Sequence, residues 1–257
     1  MSLSGKIAWI TGAGSGIGQS AAVELARSGA SVVVSGRRAD ALAETVALVR
    51  QAGGSADAVA LDVADRDAVA RAGEDVARRH GRVDILVNSA GLNVPNRFYR
   101  NVTARDWDYV MGINLHGAMY CMLAVLPSMR ERRDGLVINV SSWFGRYPSY
   151  MGGPAYNASK RALATITEQI NLEEGHRGIR GCVIFPGEVA TPILKSRPKP
   201  VSAEDQARML QAQDLGRLIR FVAETPAHVC LNEIVISPTW NRLILGGSDI
   251  SLAPRPD

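Results

Sequence analysis

Short runs rich in β-branched residues alternate with longer runs of helical periodicity along the whole 257-residue chain. Residues 7–11, 31–35, 58–61, 85–88, 136–140, 182–185 and 233–237 read as strands, and 17–28, 40–51, 65–79, 103–132, 154–174 and 214–223 as helices. Few folds accept that order, because parallel strands need long crossovers and the crossover helices cover both faces of the sheet. The expected class is α/β: a doubly wound parallel sheet of about seven strands with helices on both faces. With 46% hydrophobic residues, the chain can bury a sizeable core in one domain spanning 1–257.

The first predicted strand runs into Thr11, Gly12, Ala13, Gly14, Ser15, Gly16, Ile17 and Gly18, which open a helix. Glycines at such a junction let the backbone turn tightly and approach a pyrophosphate, while the helix N-terminus supplies amide donors and a favourable dipole. The place of the motif, at the start of a strand–helix–strand unit, argues for a dinucleotide site rather than a plain glycine-rich turn. The residues just after the second strand bear on which dinucleotide. An acid there holds the ribose hydroxyls of NAD, whereas the 2′-phosphate of NADP repels an acid and pairs with arginine. This chain has Gly36, Arg37 and Arg38, and its next acid, Asp40, already lies in the following helix. NADP(H) is the expected cofactor, with Arg37 on the phosphate and Arg38 beside it; NAD(H) is the alternative.

Asp62 and Val63 end the third strand, and Asn88, Ser89, Ala90 and Gly91 the fourth. Ligands of an open parallel sheet lie beyond the carboxyl ends of its strands, so both groups are expected to rim the cofactor. Asp62 has two readings, a partner for the adenine amino group or a cap for the next helix. Further on, Tyr156 and Lys160 stand four residues apart in a segment made helical by Pro154 and by apolar repeats at Ala162, Leu163, Ile166 and Ile170. On one helix face, the ammonium is expected to lower the phenol from pH ~10 by roughly 1–3 units, so that it passes a proton near neutrality.

Taken together and in order, the glycine motif, the Asn88 to Gly91 motif, Asn114, Ser142, Tyr156 with Lys160, and Pro186 and Gly187 through Thr191 resemble the short-chain dehydrogenase/reductase family. The resemblance covers nearly the whole chain. It implies a Rossmann-like domain, usually a dimer or homotetramer, that moves hydride between a nicotinamide and a carbonyl or alcohol. By the same resemblance, Tyr156 is the acid/base, Lys160 lowers its pKa and holds the nicotinamide ribose, and Ser142 donates a hydrogen bond to the substrate oxygen. Asn114 anchors a water linking Lys160 to solvent. Gly12, Ser15, Gly16, Ile17, Gly18, Asn88, Ala90, Gly91, Pro186 and Gly187 belong to the cofactor site, and Val189 and Thr191 contact the carboxamide. The chemistry is consistent, since hydride arrival at a carbonyl carbon builds negative charge on oxygen, which a proton donor and a second hydrogen bond stabilise.

Strand alternation does not choose between Ser141 and Ser142; the family pattern of a glycine three residues after the catalytic serine points to Ser142 through Gly145. The spacing from Ser142 to Tyr156 is one residue longer than the pattern, which implies a longer loop. That loop holds Trp143, Phe144, Tyr147, Tyr150 and Met151. Phe144 and Tyr150, with Asn93 and Ser142, are the expected substrate contacts, and an aromatic mouth suits an apolar or ring-bearing ligand. The other reading packs these rings against neighbouring helices. Residues 192–213 are expected to form a mobile lid, whose Lys195, Arg197 and Lys199 either attract an acidic substrate or are solvated. The strand ending Asn232 to Thr239, where many relatives carry Asp-Gly-Gly, resembles a subgroup acting on small polar carbonyls, including 3-hydroxy amino acids. That hint conflicts with the aromatic loop. The tail 240–257 is long enough to reach a neighbouring subunit, and the helices holding Asn114 and Tyr156 are the family's usual dimer faces.

Net charge is +4, from 29 Lys and Arg against 25 Asp and Glu spread along the chain, which argues against a nucleic-acid partner. Cys121, Cys182 and Cys230 are odd in number and form no Cys-x-x-Cys pair, the pattern of reduced cytosolic thiols without a metal site. No signal peptide precedes the first apolar run, and the apolar stretches are expected to fall short of a bilayer span. A cytoplasmic protein without membrane contact is expected. The reading is an NADP-dependent oxidoreductase of a small carbonyl or secondary alcohol. Its alternatives are an NAD-linked dehydrogenase of a hydroxy acid, 3-hydroxy amino acid or polyol, and, in another class, a cofactor-binding sensor without turnover.

Overall fold

The structure, a computed structural model, describes residues 2–197 and 199–245. Its first half runs β1 (Ile7–Thr11), α1 (Gly16–Arg27), β2 (Ser31–Gly36), α2 (Ala39–Gln51), β3 (Ser55–Ala60), α3 (Arg66–His80), β4 (Ile85–Asn88), α4 (Ala104–Met111) and α5 (Gly117–Arg132). The second half runs β5 (Gly135–Val140), α6 (Trp143–Arg146), α7 (Gly153–Glu174), β6 (Ile179–Pro186), β7 (Val189–Ala190), α8 (Ala203–Arg208), β8 (Leu210–Gln211), α9 (Ala212–Glu224), β9 (Glu233–Ile236) and α10 (Arg242–Leu245). Seven strands form one sheet in the order β3-β2-β1-β4-β5-β6-β9, every neighbouring pair parallel. This is the expected Rossmann-like doubly wound sheet. The order reverses between β1 and β4, and the crevice beyond their carboxyl ends is where such a sheet takes a ligand.

Central strands buried on both faces read as continuous apolar runs, and every residue of β5 is buried. One face packs Ile10, Val34 and Ile138 under α1 and α9; the other packs Trp9, Leu86 and Val137 under α3 and α5. The Trp9 indole N–H is satisfied inside the sheet, donating to Ser35 Oγ at 2.9 Å. The third strand differs from expectation. It begins at Ser55 rather than residue 58 and ends before Leu61, because it is the edge strand and mostly exposed, so apolar runs do not mark its limits.

The long helix expected over 103–132 is continuous but not uniformly α-helical: residues 112–116 form a π-helical turn between α4 and α5. It starts at a capping box, in which the Thr103 hydroxyl accepts from Asp106 N and the Asp106 carboxylate accepts from Thr103 N. Residues 104–132 are long and apolar enough, by length and composition alone, to cross a membrane, which corrects the expectation that every apolar stretch falls short. Half of the most apolar part is nevertheless buried within the protein, where α5 packs on α3 and β5. The segment expected as a lid contains a 3₁₀ turn (Pro192–Ser196), α8 and β8, which pairs parallel with β7 just before the segment, and α9 already begins at Ala212. Residues 246–257 of the tail lie outside the described residues. Its first part folds back on its own chain, with Asn241 and Arg242 buried.

Candidate active site

The strand ends at the switch point open into a cavity of about 750 Å³. The glycine motif lines one end, and its backbone is where only glycine fits. Gly12 holds φ +64° with its Cα so close to Ala90 that a Cβ would lie 2.6 Å from the Ala90 amide nitrogen. A Cβ on Gly18 would lie 2.5 Å from Gly12 O, so Gly18 lets α1 pack on the turn rather than touching the cavity itself. At the start of α1, Ser15 makes no side-chain cap and the first turn carries no acid, so its amides face the cavity uncompensated. An unfilled helix N-terminus beside a close-approaching backbone fits a pyrophosphate.

Arg37 and Arg38 extend the lining past β2, and both are exposed. Arg37 Nη1 donates to the Tyr109 hydroxyl at 3.0 Å, a bond to α4 that no sequence signal announces. That bond, with the nearby charge of Asp62, raises the guanidinium's pKa. Asp62 lines the cavity while its carboxylate accepts from Ala64 N at 3.0 Å; the cap of α3 is Asp65, which accepts from Ala68 N. The cap reading of Asp62 is therefore corrected. Val63, Ala90, Gly91, Pro186, Gly187, Val189 and Thr191 line the cavity as expected of cofactor contacts. Asn88 does not: it is buried and donates to Asn139 Oδ1 at 2.9 Å, tying β4 to β5.

On the floor, α7 presents Tyr156 and Lys160. Ser141 and Ser142 leave β5 in opposite directions. Ser141 Oγ is buried and donates to Lys160 O at 2.7 Å, whereas Ser142 caps α6, accepts from Phe144 N at 3.2 Å and hydrogen-bonds the Tyr156 phenol. Lys160 Nζ donates to Val140 O at 2.9 Å and lies 5.8 Å from the Tyr156 ring centroid. Asn114, in the π-helical turn, does not line the cavity. Its side chain grips both backbone groups of Leu92, accepting from N at 2.8 Å and donating to O at 2.9 Å, and donates to Ser159 Oγ at 3.1 Å.

The electrostatics depart from expectation. Burial pushes the Tyr156 phenol up, and the Ser142 bond and the guanidiniums of Arg97 and Arg197 pull it down without reversing the rise. Lys160 is itself desolvated, pushed down to about 8, and its ammonium is occupied by a carbonyl. Sharing a helix face is not enough to make this pair an ion pair, because burial disfavours the charged form of each and leaves the phenol protonated.

Of the expected substrate contacts, Asn93, Ser142 and Phe144 line the cavity. Tyr150 does not: it is 48% exposed and stacks on Phe98 with centroids 4.5 Å apart. Sequence reasoning missed Arg97, Glu188 and Leu243, all in the lining. Glu188 is held below the ordinary carboxylate range, since bonds from Arg242 and Arg197 outweigh the upward push of burial. Arg242 reaches it at 2.7 and 2.9 Å, and Arg197 at 2.7 Å.

The glycine-cradled helix end and the floor of Ser142, Tyr156 and Lys160 thus share one cavity at the switch point of a Rossmann-like sheet. The chain matches the short chain dehydrogenase family over residues 6–201 and belongs to that family; it is an NAD(P)-dependent oxidoreductase. It is 36% identical over 207 residues to the short-chain reductase protein NovJ of Streptomyces niveus, covering 80% of this chain and 78% of that one. A metagenomic short-chain oxidoreductase solved in complex with NADP superposes with a TM-score of 0.81 at 28% identity, covering 93% and 99% of the two chains. A short-chain dehydrogenase from Mycobacterium paratuberculosis bound to NAD gives 0.81 at 28%, covering 92% and 97%.

Proposed function

We propose that the protein is an NADP-dependent reductase or dehydrogenase of a small carbonyl or secondary alcohol, with Tyr156 as its proton-transfer group. The observation that carries this reading is the meeting of Tyr156 with Ser142 on the floor of a cavity whose far end holds Arg37, Arg38 and the glycine backbone. The absence of any acid between β2 and Asp40, and the NADP held by the metagenomic relative, support the choice of cofactor. Gly12, Ser15, Gly16 and Ile17 would hold the pyrophosphate, Arg37 and Arg38 the 2′-phosphate, and Pro186, Gly187, Val189 and Thr191 the nicotinamide. When bound, the reduced nicotinamide supplies the hydride.

The chain's own residues do the rest. As the carbonyl carbon gains hydride, its oxygen gains charge, and the Tyr156 O–H delivers its proton there to give the alcohol. A phenol raised by burial is protonated at neutral pH, the state a reduction needs. Ser142, steadied by Phe144 N, offers the second hydrogen bond to the same oxygen. Lys160 sits at the base of Tyr156, where its cation favours the phenolate left behind, and Asn114 fixes the Leu92 loop above it. Residues 192–213 act as the lid, and exposed Met119, Leu123 and Leu172 on α5 and α7 are the surface for assembly into a homo-oligomer. Gel filtration tests the last point.

The deciding experiment measures NADPH and NADH oxidation against ketones, aldehydes, quinones and keto acids, with wild type and Tyr156→Phe. Turnover with NADPH that falls about 10²–10⁴-fold in Tyr156→Phe, with cofactor affinity unchanged, is expected. Tight NADPH binding without turnover on any carbonyl would instead make the protein a cofactor sensor.

A further inference from the structure

We propose that the substrate carries a carboxylate and that Arg97 receives it, making the reaction the interconversion of an oxo acid and a hydroxy acid. This rests on the reading of the cavity as a carbonyl-reduction site.

Arg97 is only 5% exposed, yet it lines the cavity. A buried guanidinium ordinarily has an acid beside it. Here every partner is neutral: Nε donates to Val94 O at 2.7 Å, Nη1 to Met151 O at 3.4 Å, and Nη2 to Ser196 O and, at 3.4 Å, to Ser196 Oγ. Carbonyls satisfy hydrogen bonds but leave the charge uncompensated. Of the five N–H donors of a guanidinium, those contacts leave one on Nη1 without a partner among the described residues. The neighbouring cations are already matched, Arg197 with Glu188 at 2.7 Å, and Arg242 with Glu188 and with Asp205 at 3.1 Å. The other carboxylate of the lining, Asp62, stands at the Arg37 end. The substrate side of the cavity thus has one guanidinium more than its acids neutralise.

Arg97 is also fixed relative to the reacting phenol. Gly153, the first residue of α7, holds φ +71°, and a Cβ there would lie 2.0 Å from Arg97 O. The Arg97 backbone therefore abuts the helix that carries Tyr156 three residues later. From the other direction Arg97 holds the 192–196 turn through Ser196, so an anion placed on it lies between the lid and the floor. Burial and the charge of Arg197 bring Arg97 down to about 10, still protonated at neutral pH. A planar fork with an unused donor suits a carboxylate, and Trp143 and Phe144 in the same lining leave room for an apolar or ring-bearing body.

The test titrates benzoate and its neutral isostere benzamide by calorimetry into the full-length protein saturated with NADP⁺. Wild type, Arg97→Met and Arg97→Lys are compared. Reduction of phenylglyoxylate and of its methyl ester is measured alongside. Wild type should prefer benzoate, and Arg97→Met should lower benzoate affinity about 10- to 100-fold while leaving benzamide within about twofold. Arg97→Lys should recover part of the loss. Unchanged benzamide binding shows that the variant's cavity is still formed. Equal affinities in wild type, or an equal loss for both ligands in Arg97→Met, would make Arg97 a mere staple between loops and overturn the inference. Tyr156-dependent reduction of the ester without preference for the acid overturns this inference alone. Benzoate selectivity without turnover of any carbonyl overturns the reductase reading and leaves the anion site standing.

Discussion

Lys160 offers a measurement in which its burial sets the sign and the order of magnitude. Its ammonium is desolvated on the cavity floor and titrates near 8, against an ordinary value of 10.5. Below pH 8 the residue is charged in both folded and unfolded chains, and its burial penalty is felt in full. Between about 8 and 10.5 the unfolded chain binds the proton and the folded chain does not, so stability rises with pH. From pH 7 to pH 10 the gain is about 2–3 kcal/mol. Wild type alone would not display it, because Cys121 and Cys182, pushed up to about 12 from 9.0 by burial, contribute in the opposite direction. Lys160→Met cancels those thiols, since both proteins contain them. Urea unfolding of both proteins, without cofactor and at equal concentration, should show the wild type gaining about 2–3 kcal/mol on the variant between pH 7 and 10. With m near 2–3 kcal/mol/M, that is about 1 M in relative midpoint. A difference that does not change with pH would refute this account: Lys160 would then be solvated, or paired with an acid, in the folded protein.

Three further outcomes are expected from the same geometry. Gly36→Asp with Arg37→Ala should move cofactor preference toward NAD, with the NADPH to NADH affinity ratio falling at least about tenfold by fluorescence titration. The Gly36→Asp side chain has room, since a Cβ on Gly36 meets Leu42 Cδ2 at 3.6 Å, an ordinary contact. Gly12→Ala adds a Cβ against the Ala90 backbone at a positive φ, and should cost about 2–3 kcal/mol, a drop of roughly 5–10 °C in a thermal scan. Ser142→Ala removes the second hydrogen bond to the reacting oxygen and should lower kcat about 10²-fold with little change in NADPH affinity, whereas Ser141→Ala should cost stability rather than turnover.

The sheet is legible in the sequence because its central strands are buried on both faces, and unbroken apolar runs between amphipathic helices leave little else to build. The edge strand β3 reads three residues late because exposure removes the pattern. In the site, the residues fixed by backbone geometry are legible: Gly12 and Gly16 carry positive φ at a turn that only a glycine-rich stretch can make. Those fixed by tertiary placement are not. Nothing local distinguishes Arg97 from Arg100 three residues on, and Arg100 is exposed while Arg97 is buried. What buries Arg97 is Gly153 and Ser196, more than fifty and nearly a hundred residues away. Helix spacing finds the Tyr156–Lys160 pair, but spacing carries no information about solvent, and here desolvation decides both pKa values.

The two substrate hints that conflict in the sequence, an aromatic loop and an unusual ending of the last strand, fare differently in the structure: Trp143 and Phe144 of the loop line the cavity, and residues 232–239 do not. Tyr147 and Tyr150 turn away, Tyr147 tilted against Trp143 at 4.8 Å and Tyr150 stacked on Phe98 at 4.5 Å, so the mouth is less aromatic than the composition of the loop suggests. Trp143 and Phe144 remain on the α6 side, and the guanidiniums of Arg97 and Arg197 stand on the lid side. On the proposal that Arg97 receives a carboxylate, the ligand has its apolar body at one end, its anion at the other, and its reacting carbon between them over Tyr156.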